Sequence, residues 1–427
     1  MRNVSSAWNA KFQNIRTNKI KMIDNNVKLK AHKAKEKKAP LGPDINLWEF
    51  SDGAPRYGYL PDVSKLSDGE KKDMVAVGVD ASEKNRSGTF VQKDHSVVHS
   101  ASMQDGLDVM SIDDALKKYG GLTEYFWKAV DPGADKYTAQ AELKQTSGYF
   151  IKSNKGVKTI FPVQSCLYLA SEHLAQNVHN VIIAEEDSEL NIITGCSTAS
   201  HVTSGIHIGI SEFYVKKGAK IVFTMIHNWN ENVVVRPRSV IIVEEGGTFI
   251  SNYICMSKTK SLQMYPTVHL NGKNSVARLN SILVAPEGAE MDVGSRVILN
   301  AEGSRAEIIS RTITKGGKII ARGHLVGNAK NIKAHLECRG LILSDEGYVH
   351  AIPELDGNVS DVDMSHEAAV GKIAQAEIEY LMARGLTEDE ATSTIVRGFL
   401  NVNFEGLPDA LKMEIDRAIG PSSVKGM

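Results

Sequence analysis

Residues 277–326 read ARLNSILVAPEGAEMDVGSRVILNAEGSRAEIISRTITKGGKIIARGHLV. Short β-branched runs alternate with small turn units, Gly288-Ala289-Glu290, Gly303-Ser304-Arg305 and Gly316-Gly317-Lys318. Runs of this length and composition, bounded by glycine-rich turns, are strand signals. Upstream, Gly218-Ala219-Lys220 and Gly246-Gly247-Thr248 repeat the unit, and downstream Asn328-Ala329-Lys330 fills the same slot. Twenty-nine residues separate Gly218 from Gly247 and twenty-seven separate Gly247 from Asn274; the later units come at about half that distance. A short spacing nested in one of twice its length is a repeat signal. A rung with an alternating inward set of Val, Ile and Leu cannot bury that set alone, whereas stacked rungs bury a continuous core. Glycine and Asn suit the corners, where φ is often positive. A large β-sandwich would show similar turn spacing; the nested period favours a β-helix.

Working outward, the same texture begins near residue 157, with runs such as LNIITGC (190–196), KIVFTMI (220–226) and TFISNYICM (248–256). It ends after His366. Beyond that, GKIAQAEIEYLMARGL carries a helical stripe of Ile373, Ile378, Leu381 and Met382, stopped by Gly385. Thr387 with Glu390 reads as a capping box that opens a second helix. LPDALKMEIDRAI, closed by Gly420-Pro421, reads as a third. Before residue 150, KAPLGPDINLWEF and SDGAPRYGYLPDV read as loops, while SIDDALKKYGG and GLTEYFWKAV read as helices with Ser111 and Thr123 as N-caps. The expected division is therefore a helix-containing N-terminal domain with a basic arm over 1–155, a β-helix over 156–364 and a helical C-terminal domain over 365–427.

A formal net charge of -1 gives no global reason for binding nucleic acid or membrane. The Lys-rich stretch 11–38 reads as a solvated arm. No apolar run is long enough to span a bilayer, and the first residues lack a secretory h-region, so a cytoplasmic location is expected. The four cysteines, Cys166, Cys196, Cys255 and Cys338, are widely spaced and read as reduced thiols. Neither a phosphate-binding loop nor HExxH nor G-x-S-x-G occurs; Lys273, Lys318 and Lys372 follow glycines without the full motif. The chain is thus expected not to hydrolyse ATP. Polysaccharide-degrading β-helix enzymes need a groove carboxylate pair or a metal-bound acid cluster, and secretion, which weakens that reading. One polar cluster stands out: His335, Glu337, Cys338, Asp345, Glu346, His350, Glu354, Asp356, Asp361, Asp363, His366 and Glu367. Thiolate, imidazole and carboxylate together can hold iron. Composition alone slightly favours a solvated rim between strands and helices.

DVDMSHEAAVGKI (361–373) followed by LMARGLTEDEATSTIVRGF (381–399) resembles the end of the SufB/SufD family of iron–sulfur cluster scaffolds. CRGLILSDEGYVHAIPEL (338–355), Thr194-Gly195-Cys196-Ser197 and His227-Asn228-Trp229 also resemble SufB. The resemblance spans roughly residues 155–420. It implies a mainly β chain, a right-handed parallel β-helix flanked by N- and C-terminal helical domains. It also implies a transient iron–sulfur cluster, [4Fe-4S] or [2Fe-2S], built at a β-helix dimer interface. The implied partners are a SufC-like ABC ATPase on the C-terminal helices, a second copy of the chain or a paralogous SufB/SufD chain, and a sulfur donor such as a cysteine desulfurase. A SufD-like structural half is the alternative.

Residue by residue, His366 and Glu367 match the family's His-Glu pair for cluster assembly, and Cys196 matches the sulfur-accepting cysteine. A sulfur acceptor must ionise, so a lowered pKa is expected there. Gly347 stands where SufB carries its interface cysteine, and Met364 where SufD carries one. Cys338 is then the cysteine nearest the acids, with Glu346, His350, Glu354 and Asp363 as reserve ligands. Adjacent strand residues face opposite ways, so His366 and Glu367 share one cluster only where the strand bends or ends.

Overall fold

The computed structural model describes residues 25–400. It is mainly β, a solenoid of about 8 turns with helices at both ends. Two sheets, of 10 and 11 strands, form its walls, and the chain passes between them as it climbs. Lys220, Thr248, Val276, Arg305, Lys333 and Asp363 stand in parallel register on successive rungs of the first sheet, so one turn takes twenty-eight to thirty residues. This is the coarser spacing of the sequence; the finer one is a half-turn from sheet to sheet. At the corners Gly303 has φ 74 and packs so closely on Asn274 that a Cβ would lie 2.4 Å from its Oδ1. In the Asn328 slot the left-handed residue is Asn331, φ 57. Asn328 instead joins a ladder from Asn271 through Asn300 to Asn358, each amide bonding the next at 2.7–2.8 Å.

The inward residues form columns along the axis. Ile192, Phe223, Ser251, Leu279, Ile308 and Leu336 stand in one of them, and His366 completes it on the last rung. Most of these apolar members belong to the single large buried cluster that fills the solenoid. Burial of such columns supplies the main stabilisation, at about 25 cal/mol per Å² of apolar surface.

The residues before 156 do more than form helices. Gly88–Lys93 pairs in parallel with Val163–Leu169 and antiparallel with Ser96–Ser102, closing the first sheet at its N-terminal end. Leu107–Ser111 and Tyr149–Ser153 do the same for the second. Helix α1 covers 25–34 and buries Ala31 and Ala34 against Ala139, so this part of the basic arm is docked. Helix α2 (Asp68–Val75) and helix α3 (Ile112–Lys118) follow, the latter capped by Ser111 as expected. Helix α4 (Lys136–Leu143) packs on the second sheet.

GLTEYFWKAV is not the expected helix. A 3-10 turn, Leu122–Glu124, is capped by Gly121 without a side-chain bond, and Thr123 caps nothing there. The chain then wraps the Glu212 carboxylate, which accepts the backbone N–H groups of Trp127, Lys128, Ala129 and Val130 at 2.6–3.0 Å. A fully buried anion with four donors outcompetes the helical hydrogen bonds of a short segment.

At the other end the strand Val362–Gly371 runs past residue 364 into the segment expected to be helical. Helix α5 (Gln375–Met382) ends at Gly385, φ 99, with the Leu386 N–H bonded back to the Leu381 carbonyl. Helix α6 (Glu388–Leu400) opens on the expected capping box, with both Thr387 and Glu390 bonds present. The third helix read from the sequence, LPDALKMEIDRAI, and residues 1–24 of the arm lie outside the described residues.

Candidate functional site

The last rung of each sheet is the strand Val362–Gly371 or Tyr348–Gly357. Among the described residues no strand pairs with their outer edges. The mouth of the solenoid therefore presents free backbone donors and acceptors, the pattern that recruits another strand. His366 faces inward here, in register with the buried Leu336, yet is exposed, since no rung stacks above it among the described residues. Cys338 lies on the same inner wall one rung down, directly beneath Ala368 and 2% exposed. Burial pushes its thiol up to about 11, against the lowering pull of Arg311.

Glu367 faces the outer side. Its carboxylate takes a 2.9 Å bond from Arg339 Nη2. His366 and Glu367 thus point to opposite faces, and the strand does not bend between them. Of the reserve ligands, Asp363 is also outward, 3.7 Å from Lys333. His350 and Glu354 are exposed on the outer face of the second sheet, and Glu346 sits in the exposed turn before it. Among the described residues no three His, Cys, Asp or Glu side chains converge in a group that could hold a metal ion.

The Gly347 departure has a steric correlate. A Cβ at Gly347 would lie 2.7 Å from Thr314 Cγ2 and 2.8 Å from its Oγ1. Thr314 fills the space that a side chain at this position would need.

Cys196 is deep inside. It stands in register with His227 and, one rung further, Cys255, so thiol, imidazole and thiol follow one another along the wall. His227 Nδ1 shares a 2.9 Å hydrogen bond with Tyr253 OH, and its ring meets Trp229 at 5.4 Å. A cavity of about 30 Å³ lies nearby, bordered by Met225, Ser251 and Tyr253. Burial pushes the Cys196 thiol well up and the His227 imidazole well down. The expected lowering of the Cys196 pKa is therefore reversed in this closed interior: among the described residues no cation offsets the desolvation of a thiolate. All four cysteines are free and buried. A polar alkylating reagent at neutral pH is accordingly expected to leave the folded chain unmodified and to label four thiols after denaturation, as counted by intact mass. Rapid labelling of Cys196 in the folded chain would contradict the closed interior.

The C-terminal helices add a second surface. Ala376, Glu377, Tyr380, Leu381 and Ile395 line an open groove between α5 and α6, and Tyr380 and Met382 are exposed. On its other side α6 buries Val396 and Leu400 in the main cluster, and the Phe399 ring lies 6.0 Å from the Arg311 guanidinium. Arg311, Arg339 and the buried Glu337 were not singled out as a unit by the sequence. The signal was present: Arg311 and Arg339 are one turn apart and stack in register.

Residues 167–399 match the SUF system FeS cluster assembly, SufBD core domain. The chain belongs to the SufBD family. An iron–sulfur cluster assembly SufBD family protein of Archaeoglobus fulgidus is 51% identical over 350 residues, covering 82% of this chain and 94% of that protein. One from Methanothermobacter thermautotrophicus (strain Winter) is 47% identical over 404 residues, 93% and 98% of the two chains. The iron-sulfur cluster assembly protein SufB of Bacillus subtilis is 30% identical over 360 residues, 82% and 77%. SufBD membership makes iron–sulfur clusters the chemistry of this system and sets aside the carbohydrate-enzyme reading. Among the described residues no helix is long and apolar enough to cross a membrane.

Proposed function

We propose that this SufBD chain is a non-enzymatic scaffold that builds iron–sulfur clusters at the open C-terminal mouth of its solenoid. The observation that carries the reading is the unpaired last rung with His366 at its inner wall. Two mouths placed edge to edge satisfy each other's backbone groups and bring two His366 imidazoles to one interface. Among its described residues one copy does not gather three donors, and a second copy completes the ligand set. The cluster is cargo, and weak mixed ligation by the His366 imidazole on the inner wall, by the Glu367 carboxylate reaching the interface from the outer face of the same edge strand, and by at most one thiolate per chain favours its release. When the interior opens to water, the desolvation that holds Cys196 protonated is relieved, and its thiolate attacks the outer sulfur of a donor persulfide, forming a Cys196 persulfide and releasing the donor cysteine as thiolate. An ABC-type ATPase docks on α5 and α6 and supplies the movement, and a cysteine desulfurase type of donor supplies sulfur.

The stoichiometry tests this. Light scattering of the chain co-purified with its ATPase is expected to give two copies of each, and a proline at Ala368, whose N–H the strand alternation turns to the free edge, is expected to reduce it to one of each. A stable one-to-one particle for the parent would sink the interface. A SufD-like structural half would dimerise with a SufB instead and take up no cluster with the ATPase alone.

A further inference from the structure

Four charges run in a line across the outer face of the last three rungs. Arg311 Nη2 is 2.9 Å from Glu337 Oε1, Arg339 Nε is 2.5 Å from the same oxygen, and Arg339 Nη2 is 2.9 Å from Glu367 Oε1. Their environments differ along the line. The Arg311 and Glu337 side chains are 10% and 12% exposed; those of Arg339 and Glu367 are 43% and 56% exposed. The buried end lies beneath α6, whose Phe399 ring sits over Arg311. The solvated end is the family's candidate ligand. Arg339 is the shared member: its fork reaches one carboxylate through Nε and the other through Nη2, which a lysine point charge cannot reproduce.

We propose that Arg339 is a positioning residue for Glu367, holding its carboxylate on the outer face of the last rung, and that α6 sets the strength of that hold through Arg311. The inference rests on the scaffold reading, in which Glu367 ligates iron. Glu337 divides its demand for positive charge between two arginines. With α6 seated, Arg311 is desolvated and fixed against Glu337, and Arg339 divides its guanidinium between Glu337 and Glu367. With α6 lifted, Arg311 turns to water, Glu337 draws Arg339 more strongly, and Glu367 is released to the interface. The surface where the ATPase is proposed to dock and the ligand are thereby joined by three ion pairs rather than by a movement of the whole solenoid.

Anaerobic calorimetric titration of the full chain with ferrous iron tests this, with thermal unfolding of each variant as the check on folding. Arg339→Gln is expected to bind iron about three- to tenfold tighter, the scale of releasing a half-exposed ion pair and removing a cation from the site. The gain is expected to vanish in Arg339→Gln/Glu367→Gln, and Arg339→Lys to recover part of the parent behaviour. Phe399→Ala is expected to move affinity in the same direction by a smaller factor. If Glu367→Gln weakens binding but Arg339→Gln equals the parent, the positioning role is wrong and the ligand role stands. Were Glu367→Gln silent in both backgrounds, Glu367 would not be a ligand and both readings would fall. A loss in Arg339→Gln that persists without Glu367 marks a purely structural arginine and overturns the proposal, and an unchanged Phe399→Ala overturns the control by α6.

Discussion

Glu212→Ala is expected to destabilise the chain by about 3–5 kcal/mol, the cost of breaking a buried charged network from one side. The carboxylate is 0% exposed and holds four successive backbone N–H groups, from Trp127 to Val130, as well as His179 Nε2 at 2.8 Å. Alanine leaves those donors buried without an acceptor, and each unsatisfied group costs about 1–3 kcal/mol. Trp127 sits at φ 55, a conformation that the carboxylate holds in place. Phe126 stacks on His179 at 4.2 Å and Trp127 meets it edge-on at 4.4 Å, so the packing of residues 121–130 on the second sheet loosens with them. Urea unfolding of the isolated chain measures the effect, and hydrogen exchange at residues 127–130 locates it. Glu212→Gln, which retains one acceptor oxygen, is expected to fall between. An unchanged midpoint in the alanine variant would mean that the four bonds contribute nothing net.

Tyr380→Glu combined with Met382→Glu is expected to weaken ATPase binding about a hundredfold or more, because charge placed in the centre of an apolar anchor removes its largest contributors. α5 buries little besides Ile378, leaving Tyr380 57% and Met382 42% exposed beside the groove. Substitution is a cleaner test than truncation. Val396 and Leu400 of α6 are part of the main cluster, so removing both helices would uncover the solenoid as well as the docking face. Pull-down and calorimetry with the ATPase read the outcome. Undiminished binding by the folded double variant would place the ATPase elsewhere.

The solenoid was legible because its corners need particular residues. Gly218, Gly246, Gly288, Gly303 and Gly316 all adopt positive φ, so turn chemistry marked the rungs before any pairing was known. The Thr387–Glu390 box was legible for the same local reason. The segment 121–130 was not, because its acceptor is Glu212, more than eighty residues away. The N-terminal strands were missed because Gly88–Lys93 takes its register from Val163–Leu169 across a long insertion. At the mouth, sequence named His366, Glu367 and Cys338 but not their directions. Strand parity assigns His366 and Cys338 to the inner wall and Glu367 to the outer, and parity is fixed only once Leu336 is known to be inside. The raised Cys196 pKa depends on its depth within the wall, which no local motif encodes.

Clusters are expected to form at the open end of the solenoid. The most direct test is anaerobic loading of the chain–ATPase complex with iron and sulfide, read by absorbance and Mössbauer spectroscopy, in the parent and in His366→Ala. His366 is exposed at the mouth, so the substitution leaves the buried columns intact. His366→Ala is expected to lose most of the cluster signal while its stoichiometry with the ATPase is unchanged. A His366→Ala complex that loads a cluster with the parent's spectrum and yield would contradict cluster formation at this end.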